Sequence, residues 1–301
     1  MQIDDQRRLA EFVDREAEMA RFCELLEFGP NAKRVLVISG DGGIGKSSLM
    51  ARMLHECALQ KKRRALIVWT DTRNHDYVAV MRSVRDEIGP TYFSAFTDLV
   101  NYFTVPRYTL TVKIDPASRL SIAEGMTVEG ASKVGDIAGI VIKDSMLTFP
   151  RDDMAVPDAE RIARLTDAFL EGLRSFAERE PLVVFLDAIE KMSEVTERWV
   201  WGELVEAIRC AQLPNTMFVL FGRKVRALGR EWSDCSETAE LRPLGFEDTV
   251  KYLERRGLPE AEREPVAQAW LVATNGAILP LQLATYVDVY LLQHKRVAAG
   301  R

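Results

Sequence analysis

Residues 40–47 read Gly40-Asp41-Gly42-Gly43-Ile44-Gly45-Lys46-Ser47, which fits the phosphate-binding pattern GxxxxGK[ST] of a P-loop. The apolar run 34–39 comes before it and the helical spacing of 46–60 comes after it, so the strand–loop–helix context is also present. Glycines let backbone N–H groups wrap phosphates, and the helix N-terminus adds partial positive charge. We expect Lys46 to reach the β- and γ-phosphates and Ser47 to ligate Mg²⁺. The whole stretch from Gly40 to Ser48 is assigned to nucleotide binding.

On both sides of this loop, short apolar runs alternate with segments of helical spacing. This alternation predicts a parallel sheet covered by helices on both faces, a three-layer α/β fold of the P-loop NTPase type. Strands are predicted at 34–39, 65–69, 181–186, 216–221 and 239–241, the first two buried on both faces, and helices at 46–60, 76–88, 159–178 and 195–210. From residue 245 the spacing is only helical, so we predict a nucleotide-binding domain over 1–244 and a helical domain over 245–301.

The stretch 105–147 departs from this alternation. Residues 108–114 alternate apolar and polar side chains, and a glycine-punctuated apolar segment follows them. The pattern predicts a small β-meander inserted into the α/β domain. Two explanations stay open: an excursion that only decorates the surface, or a surface for partner binding or oligomerisation.

Asp187 ends the very apolar run 182–186, where a strand would leave the sheet at its ligand-binding edge. We predict that it is the carboxylate of the Mg²⁺ site. Glu190 lies three residues further on and is the candidate to orient or activate an attacking water. The alternative for Glu190 is a solvated residue at the start of a helix.

Arg223 follows another apolar run, 216–221, after a single glycine. A cation at that strand end would point toward the γ-phosphate and would sense its presence. The alternative is a surface arginine in a locally basic loop, since Lys224 and Arg226 are close by.

Composition narrows the class of protein. The 301 residues are 47% hydrophobic and 28% charged, as in an ordinary globular protein. With 40 basic and 45 acidic residues the net charge is -5, so the chain has no overall positive charge with which to bind nucleic acid. The four cysteines form no CxxC pattern, so we expect buried reduced thiols rather than zinc or disulfides. Without a signal-peptide pattern or a membrane-length apolar stretch, the expected location is the cytoplasm.

Taken together, these motifs resemble the STAND class of P-loop ATPases, the NACHT and NB-ARC relatives of AAA+ proteins. Residues 12–19 are similar to the FVGRExEL box, and the resemblance implies that Phe12, Val13 and Arg15 cradle adenine. Walker A at 40–47, Walker B ending at Asp187 and the sensor strand before Arg223 follow in the family's order. Residues 274–283 look like the GLPL motif of the helical domain, so Pro280 would close the adenine site.

The sequence departs from the family at several positions. Asp14 replaces the usual glycine, and the segment 187–190 lacks the adjacent acidic pair of many hydrolysing members, which implies slow hydrolysis. Extra residues precede Pro280, and the stretch 105–147 is not part of the family pattern. The chain ends soon after the GLPL-like helix, so it is either a natural minimal ATPase or the nucleotide-binding core of a longer protein.

The resemblance implies an ATP/ADP switch with Mg²⁺ that acts in signalling or defence. It also implies that a protein partner or further domains would read the state of the switch, through nucleotide-dependent homo-oligomerisation. Three alternatives stay open. One is an AAA+ ATPase of the origin-recognition or loader type that acts on DNA, against which stand the net charge and the lack of a helix-turn-helix pattern. The others are a scaffold that binds nucleotide without turnover and a small-molecule kinase, which would need an arginine-rich lid.

Overall fold

The computed structural model describes residues 9–29, 32–69, 76–104, 111–112, 147–148, 157–226 and 228–299. The chain divides into two compact units, one formed by 1–94 with 169–301 and the other by 95–168. Each unit is described by itself.

The first unit contains a five-stranded sheet in the order β2-β5-β6-β1-β7, and every neighbouring pair is parallel. This arrangement confirms the predicted α/β fold class, because parallel neighbours need crossover connections and helices supply them. The strands are β1 (Val35–Ser39), β2 (Arg63–Val68), β5 (Leu182–Asp187), β6 (Thr216–Gly222) and β7 (Ser236–Glu240).

Helices surround this sheet and mostly match the predicted segments. They are α1 (Glu16–Leu26), α2 (Lys46–Leu59), α3 (Tyr77–Ile88), α5 (Asp158–Ala177, which begins in the second unit), α6 (Glu194–Trp199) and α7 (Glu206–Arg209), with a 3₁₀ turn at Pro90–Phe93. The predicted helix over 195–210 is interrupted by a π-helical turn at Val200–Leu204. Helix α1 and the segment 90–104 were not predicted.

The core of this unit lies where the central strands meet α1 and α2. All residues of β6 are buried, as are four of the five residues of β1. Phe22 of α1 packs against Phe185 of β5, with ring centroids 6.1 Å apart. The prediction that 65–69 is a strand buried on both faces holds for one face only. Ala65 and Ile67 are buried, whereas Leu66 and Val68 on the opposite face are half-buried, and β2 lies at the edge of the sheet.

Three helices complete the first unit: α8 (Phe246–Arg255), α9 (Glu260–Ala273) and α10 (Pro280–Ala299). They pack around a separate apolar cluster that includes Leu253, Leu283 and Val287. Leu244, just before α8, pairs with Ile278, just before α10, in an antiparallel bridge. The predicted domain boundary at residue 245 stays a prediction.

The second unit contains α4 (Ser94–Thr104), which starts at the unit boundary, and the first half of α5. Two short strands, β3 (Thr111–Val112) and β4 (Leu147–Thr148), pair antiparallel within it. The rest of the β-meander predicted over 105–147 lies outside the described residues.

The cysteine prediction is only half right. All four cysteines are free, and Cys57 is buried, which raises the pKa of its thiol to about 12, but Cys210 is exposed. In the part of the chain that the structure describes, no helix is long and apolar enough to cross a membrane.

Gly172 of α5 gives a stability prediction. A Cβ at this position would lie 2.4 Å from Phe93 Cδ1 and 2.9 Å from the carbonyl oxygen of Tyr92, and Phe93 is 1% exposed and stacked on Phe169. Overpacking a core costs about 1–3 kcal/mol, more than the roughly 1 kcal/mol that alanine gains over glycine in a helix. We therefore expect Gly172→Ala to lower the unfolding midpoint in urea.

The matched control is Gly202→Ala in the π-helical turn, where a Cβ would meet nothing within 4 Å. That variant should leave the midpoint unchanged or raise it. Equal midpoints for both variants would contradict the close packing of α5 on Phe93.

Candidate functional site

Three predicted site segments meet at one edge of the sheet. Strands β5, β6 and β1 are neighbours and parallel, so their carboxyl ends lie together. Ser39 is in register with Gly222, which places the start of the P-loop beside the loop that carries Arg223. Asp187 ends β5 on the other side of β6.

The P-loop joins β1 to α2 with glycines in left-handed backbone conformations. Gly43 has φ 83° and Gly45 has φ 103°, a region that side chains other than glycine rarely adopt. Gly45 is the N-cap of α2, and its carbonyl oxygen accepts from the N–H groups of Ser48 at 3.1 Å and Leu49 at 3.0 Å. The first N–H groups of a helix have no intrahelical partner, so this turn presents donors to an anion.

Lys46 lies over the P-loop. Its Nζ donates to the carbonyl oxygens of Gly40 at 2.5 Å and Asp41 at 2.9 Å. Burial lowers the pKa of Lys46, with Glu190 opposing and Arg223 adding to this effect. The ammonium is therefore within electrostatic reach of the acidic and basic residues that the sequence assigned to the same site.

Glu190 and Arg223 form a pair next to the P-loop. Glu190 Oε2 accepts from the backbone N–H of Arg223 at 3.1 Å, and Oε1 lies 3.7 Å from Arg223 Nε. A Cβ on Gly42 would lie 3.2 Å from the guanidinium carbon of Arg223, so the guanidinium lies against the loop. Ala188, at φ 58°, turns the chain after Asp187 and carries Glu190 back toward β6.

The residues assigned to Mg²⁺ have suitable chemistry. Ser47 is exposed in the first turn of α2, and Asp187 stands at the end of β5. Among the described residues, no group of three or more His, Cys, Asp or Glu is placed to hold a metal. Mg²⁺ favours one or two protein oxygens together with water and substrate phosphates, so a hydroxyl and a carboxylate fit this ion.

A small cavity beside the P-loop brings the N-terminal box and the helical segment together. Phe12, Val13, Arg15 and Pro280, which the resemblance assigns to the adenine site, all line it. Adenine binding in this cavity stays a prediction. The sequence reasoning missed three lining residues that no motif marks, because they come from the flank of the box, the linker and α8. The full lining is Glu11, Phe12, Val13, Arg15, Ile44, Gly45, Ser48, Leu244, Tyr252 and Pro280.

Arg15 holds this wall in place. The residue is 6% exposed, and its Nη2 donates to the carbonyl oxygens of Ile44 at 3.1 Å and Arg242 at 2.6 Å. Asp14, which has φ 61° where the resemblance has glycine, forms an ion pair with Arg15 at 2.9 Å. Aspartate tolerates this conformation better than most residues. Arg15 thus ties the P-loop to the linker before α8.

The start of α10 rests directly on the P-loop. The N–H of Leu281 donates to the carbonyl oxygen of Gly43 at 3.2 Å, and a Cβ on Gly43 would lie 3.0 Å from Leu281 Cβ. A Cβ on Gly45 would lie 3.8 Å from Pro280 Cγ. The loop predicted to bind phosphates and the helix predicted to close the site are therefore in contact.

Two larger clefts lie outside this site and contain none of its predicted residues. One, of about 510 Å³, includes the basic run Lys61-Lys62-Arg63-Arg64 along its wall. The other, of about 470 Å³, includes Trp201 and Trp232, whose rings are 6.3 Å apart. Size alone would favour these clefts, but the smaller cavity is the one that adjoins the P-loop.

Comparison with known proteins gives a family. A family model described as an AAA ATPase domain matches residues 11–207, which is more than half of the chain. The match runs from the N-terminal box through Walker A and Walker B. A comparison with curated proteins gives no match.

Several solved structures are similar to this chain at low sequence identity, and one of them, with a TM-score above 0.5, shares its fold. Cdc6p from Pyrobaculum aerophilum is 12% identical, with a TM-score of 0.53 and coverage of 97% of this chain and 67% of that one. A HORMA:CdnC:Trip13 complex from E. coli MS115-1 matches at 12% identity and a TM-score of 0.45, covering 90% of this chain and 78% of that one. A STAND protein with a tetratricopeptide repeat sensor from Pyrococcus horikoshii is 16% identical, with a TM-score of 0.42. The match covers 90% of this chain and 29% of the Pyrococcus chain.

Proposed function

The chain belongs to the AAA ATPase domain family, and on that premise we propose that it is a Mg²⁺-dependent nucleotide switch that binds ATP or ADP and hydrolyses ATP. Lys46 would hold the β- and γ-phosphates, while Ser47 and Asp187 would hold Mg²⁺. Glu190 would accept the proton of the attacking water, and Arg223 would respond to the γ-phosphate. Bound Mg²⁺ supplies charge neutralisation on the phosphates.

The observation that carries the switch is the contact between Leu281 and the P-loop. A ligand shifts a conformational equilibrium only if it interacts differently with the two states. Because the Gly43 carbonyl already bonds to the first turn of α10, any change of the loop around a γ-phosphate changes a contact of the helical segment. The loop thereby couples nucleotide state to the placement of α10.

A second feature supports the same proposal. Arg223 lies against Gly42 and pairs with Glu190, so one cation contacts both the P-loop and the candidate water-activating carboxylate. A γ-phosphate placed at Lys46 would compete with Glu190 for this guanidinium. The ATP and ADP states would then differ in the pairing of Arg223.

The switch would be read by a protein partner, by further domains or by other copies of the chain through nucleotide-dependent oligomerisation. Signalling or defence is the role that the STAND resemblance suggests for such a switch. The cytoplasmic location inferred from the sequence stays a prediction.

The test is a mass and shape measurement of the assembly with ADP and with a non-hydrolysable ATP analogue, using mass photometry and small-angle X-ray scattering. We expect the two nucleotides to give different masses or different radii. The Lys46→Ala variant serves as the control and should give one result with both. If wild type binds neither nucleotide, or if mass and shape are identical with both, the switch is ruled out.

A second candidate is an AAA+ ATPase that acts on DNA, and the basic run Lys61-Lys62-Arg63-Arg64 favours it. Three of these residues are exposed beside a cleft, although Glu87 and Glu180 share its wall and the chain's net charge is -5. Binding of duplex DNA that weakens steeply with salt would support this candidate, because phosphate contacts release counterions.

A further inference from the structure

Arg256 joins three parts of the first unit through one buried guanidinium. The residue follows α8 as its C-cap, and its side chain is 3% exposed. Nη1 lies 2.5 Å from Glu11 Oε2, while Nη2 lies 2.5 Å from Asp288 Oδ1 and donates to the carbonyl oxygen of Ala284 at 3.3 Å. The flank of the N-terminal box, the end of α8 and α10 therefore meet at this side chain.

The junction depends on the pairing of the buried Arg256 guanidinium with its two carboxylates. A buried cation is stable only when it is paired and hydrogen-bonded, and removing its partners leaves an uncompensated charge. Arginine suits the position because its planar fork can reach two carboxylates and a carbonyl at once, which the single ammonium of lysine does not do.

The junction lies behind the wall of the small cavity. Glu11 and Tyr252 both line that cavity, and Arg256 contacts both: it pairs with Glu11, and its guanidinium carbon is 6.0 Å from the centroid of the Tyr252 ring. Helix α10, which Arg256 holds through Asp288 and Ala284, begins with Pro280, a further lining residue. Moving Arg256 would displace three walls of the cavity together.

We propose that Arg256 is a positioning residue that sets the adenine-binding shape of this cavity and couples its occupancy to the placement of α10. The inference rests on the proposed function, since it takes the cavity to be the base site. Arg256 contacts the base side of the site directly, whereas it reaches the P-loop only through α10, whose Leu281 N–H donates to the Gly43 carbonyl. Its larger effect is therefore expected on the base side of the nucleotide.

The test measures binding of ADP and of inorganic tripolyphosphate, which offers the P-loop phosphates without a base, to the full chain by calorimetry. Coupling between sites is typically about 5- to 150-fold in affinity, so we expect Arg256→Gln to weaken ADP binding roughly tenfold. Tripolyphosphate affinity should stay within about twofold of wild type, because the phosphate residues are untouched.

The matched control is Arg263→Gln. Arg263 also belongs to the helical segment, pairs with Glu254 at 2.9 Å and donates to the Leu258 carbonyl at 2.9 Å, but it does not line the cavity. This variant should bind both ligands like wild type. If Arg256→Gln does not fold, Asp288→Asn replaces it. That variant should also lose affinity for ADP and not for tripolyphosphate, but its loss should be smaller than the roughly tenfold loss expected for Arg256→Gln.

Two results would overturn the inference while leaving the proposed function intact: wild-type ADP affinity in a folded variant, or an equal loss for ADP and tripolyphosphate. A wild-type protein that binds neither ligand would instead refute the proposed function, and the inference would fall with it.

Discussion

Lys46→Ala should abolish ATP hydrolysis and weaken nucleotide binding without unfolding the protein. The Lys46 ammonium rests on the carbonyls of Gly40 and Asp41, within reach of Glu190 and Arg223, so it is placed to contact phosphate oxygens. A hydrogen bond to a charged group is worth about 1.5–3 kcal/mol, which corresponds to roughly 10- to 100-fold in affinity. Losing one preorganised donor to a transition state costs about 10²–10³ in kcat.

Stability should not follow activity in this variant. Burial lowers the pKa of Lys46, which means that the folded protein pays a desolvation cost to keep this ammonium charged. Alanine removes that cost and has the higher helix propensity at the start of α2. We therefore expect a melting temperature equal to or above that of wild type.

Lys61→Ala is the matched control, since Lys61 is an exposed lysine just beyond the other end of α2. Phosphate release and binding of a fluorescent ADP, measured on all three proteins, should separate Lys46→Ala from the other two. An Lys46→Ala protein that hydrolyses ATP like wild type would refute the assignment of the P-loop.

The sequence was enough to predict the sheet and the edge where the site lies. Apolar runs that stop at Gly40, Asp187 and Gly222 mark strand ends, and parallel strands bring those ends to one edge whatever their order. The order β2-β5-β6-β1-β7 was not predictable in the same way, because strand runs of similar composition do not encode their neighbours. The edge position of β2 follows from that order.

The tertiary contacts of the site lay beyond sequence reasoning. Arg15 bonds to the carbonyl of Arg242, 227 residues away, and Arg256 pairs with Glu11, so only the folded chain shows these partners. The left-handed conformation of Ala188 was likewise not predictable from the sequence, because the surrounding structure imposes such a conformation on a non-glycine residue. Local patterns locate the chemistry, while long-range packing decides how its residues are held.

Glu190→Gln should stop hydrolysis while leaving nucleotide binding nearly unchanged. Glu190 Oε2 accepts from the Arg223 backbone N–H at 3.1 Å, and a glutamine oxygen can accept the same hydrogen bond, so the loop should keep its conformation. The amide cannot take a proton from water. General-base catalysis contributes about 10²–10⁴-fold, so we expect the rate of phosphate release to fall by that range.

The design separates a switch that hydrolyses ATP from a scaffold that only binds nucleotide. The control is Glu194→Gln, since Glu194 is an exposed residue in the first turn of α6. If only Glu190→Gln loses turnover and its ADP affinity stays within about threefold of wild type, the result supports hydrolysis through this carboxylate. The substitution would then remove stabilisation of the transition state and leave ground-state binding of the nucleotide intact. Turnover absent from wild type as well, with binding intact, supports a scaffold that holds nucleotide. A Glu190→Gln protein with wild-type turnover would mean that Glu190 only anchors the Arg223 loop, and the water-activating role would then fall to another group.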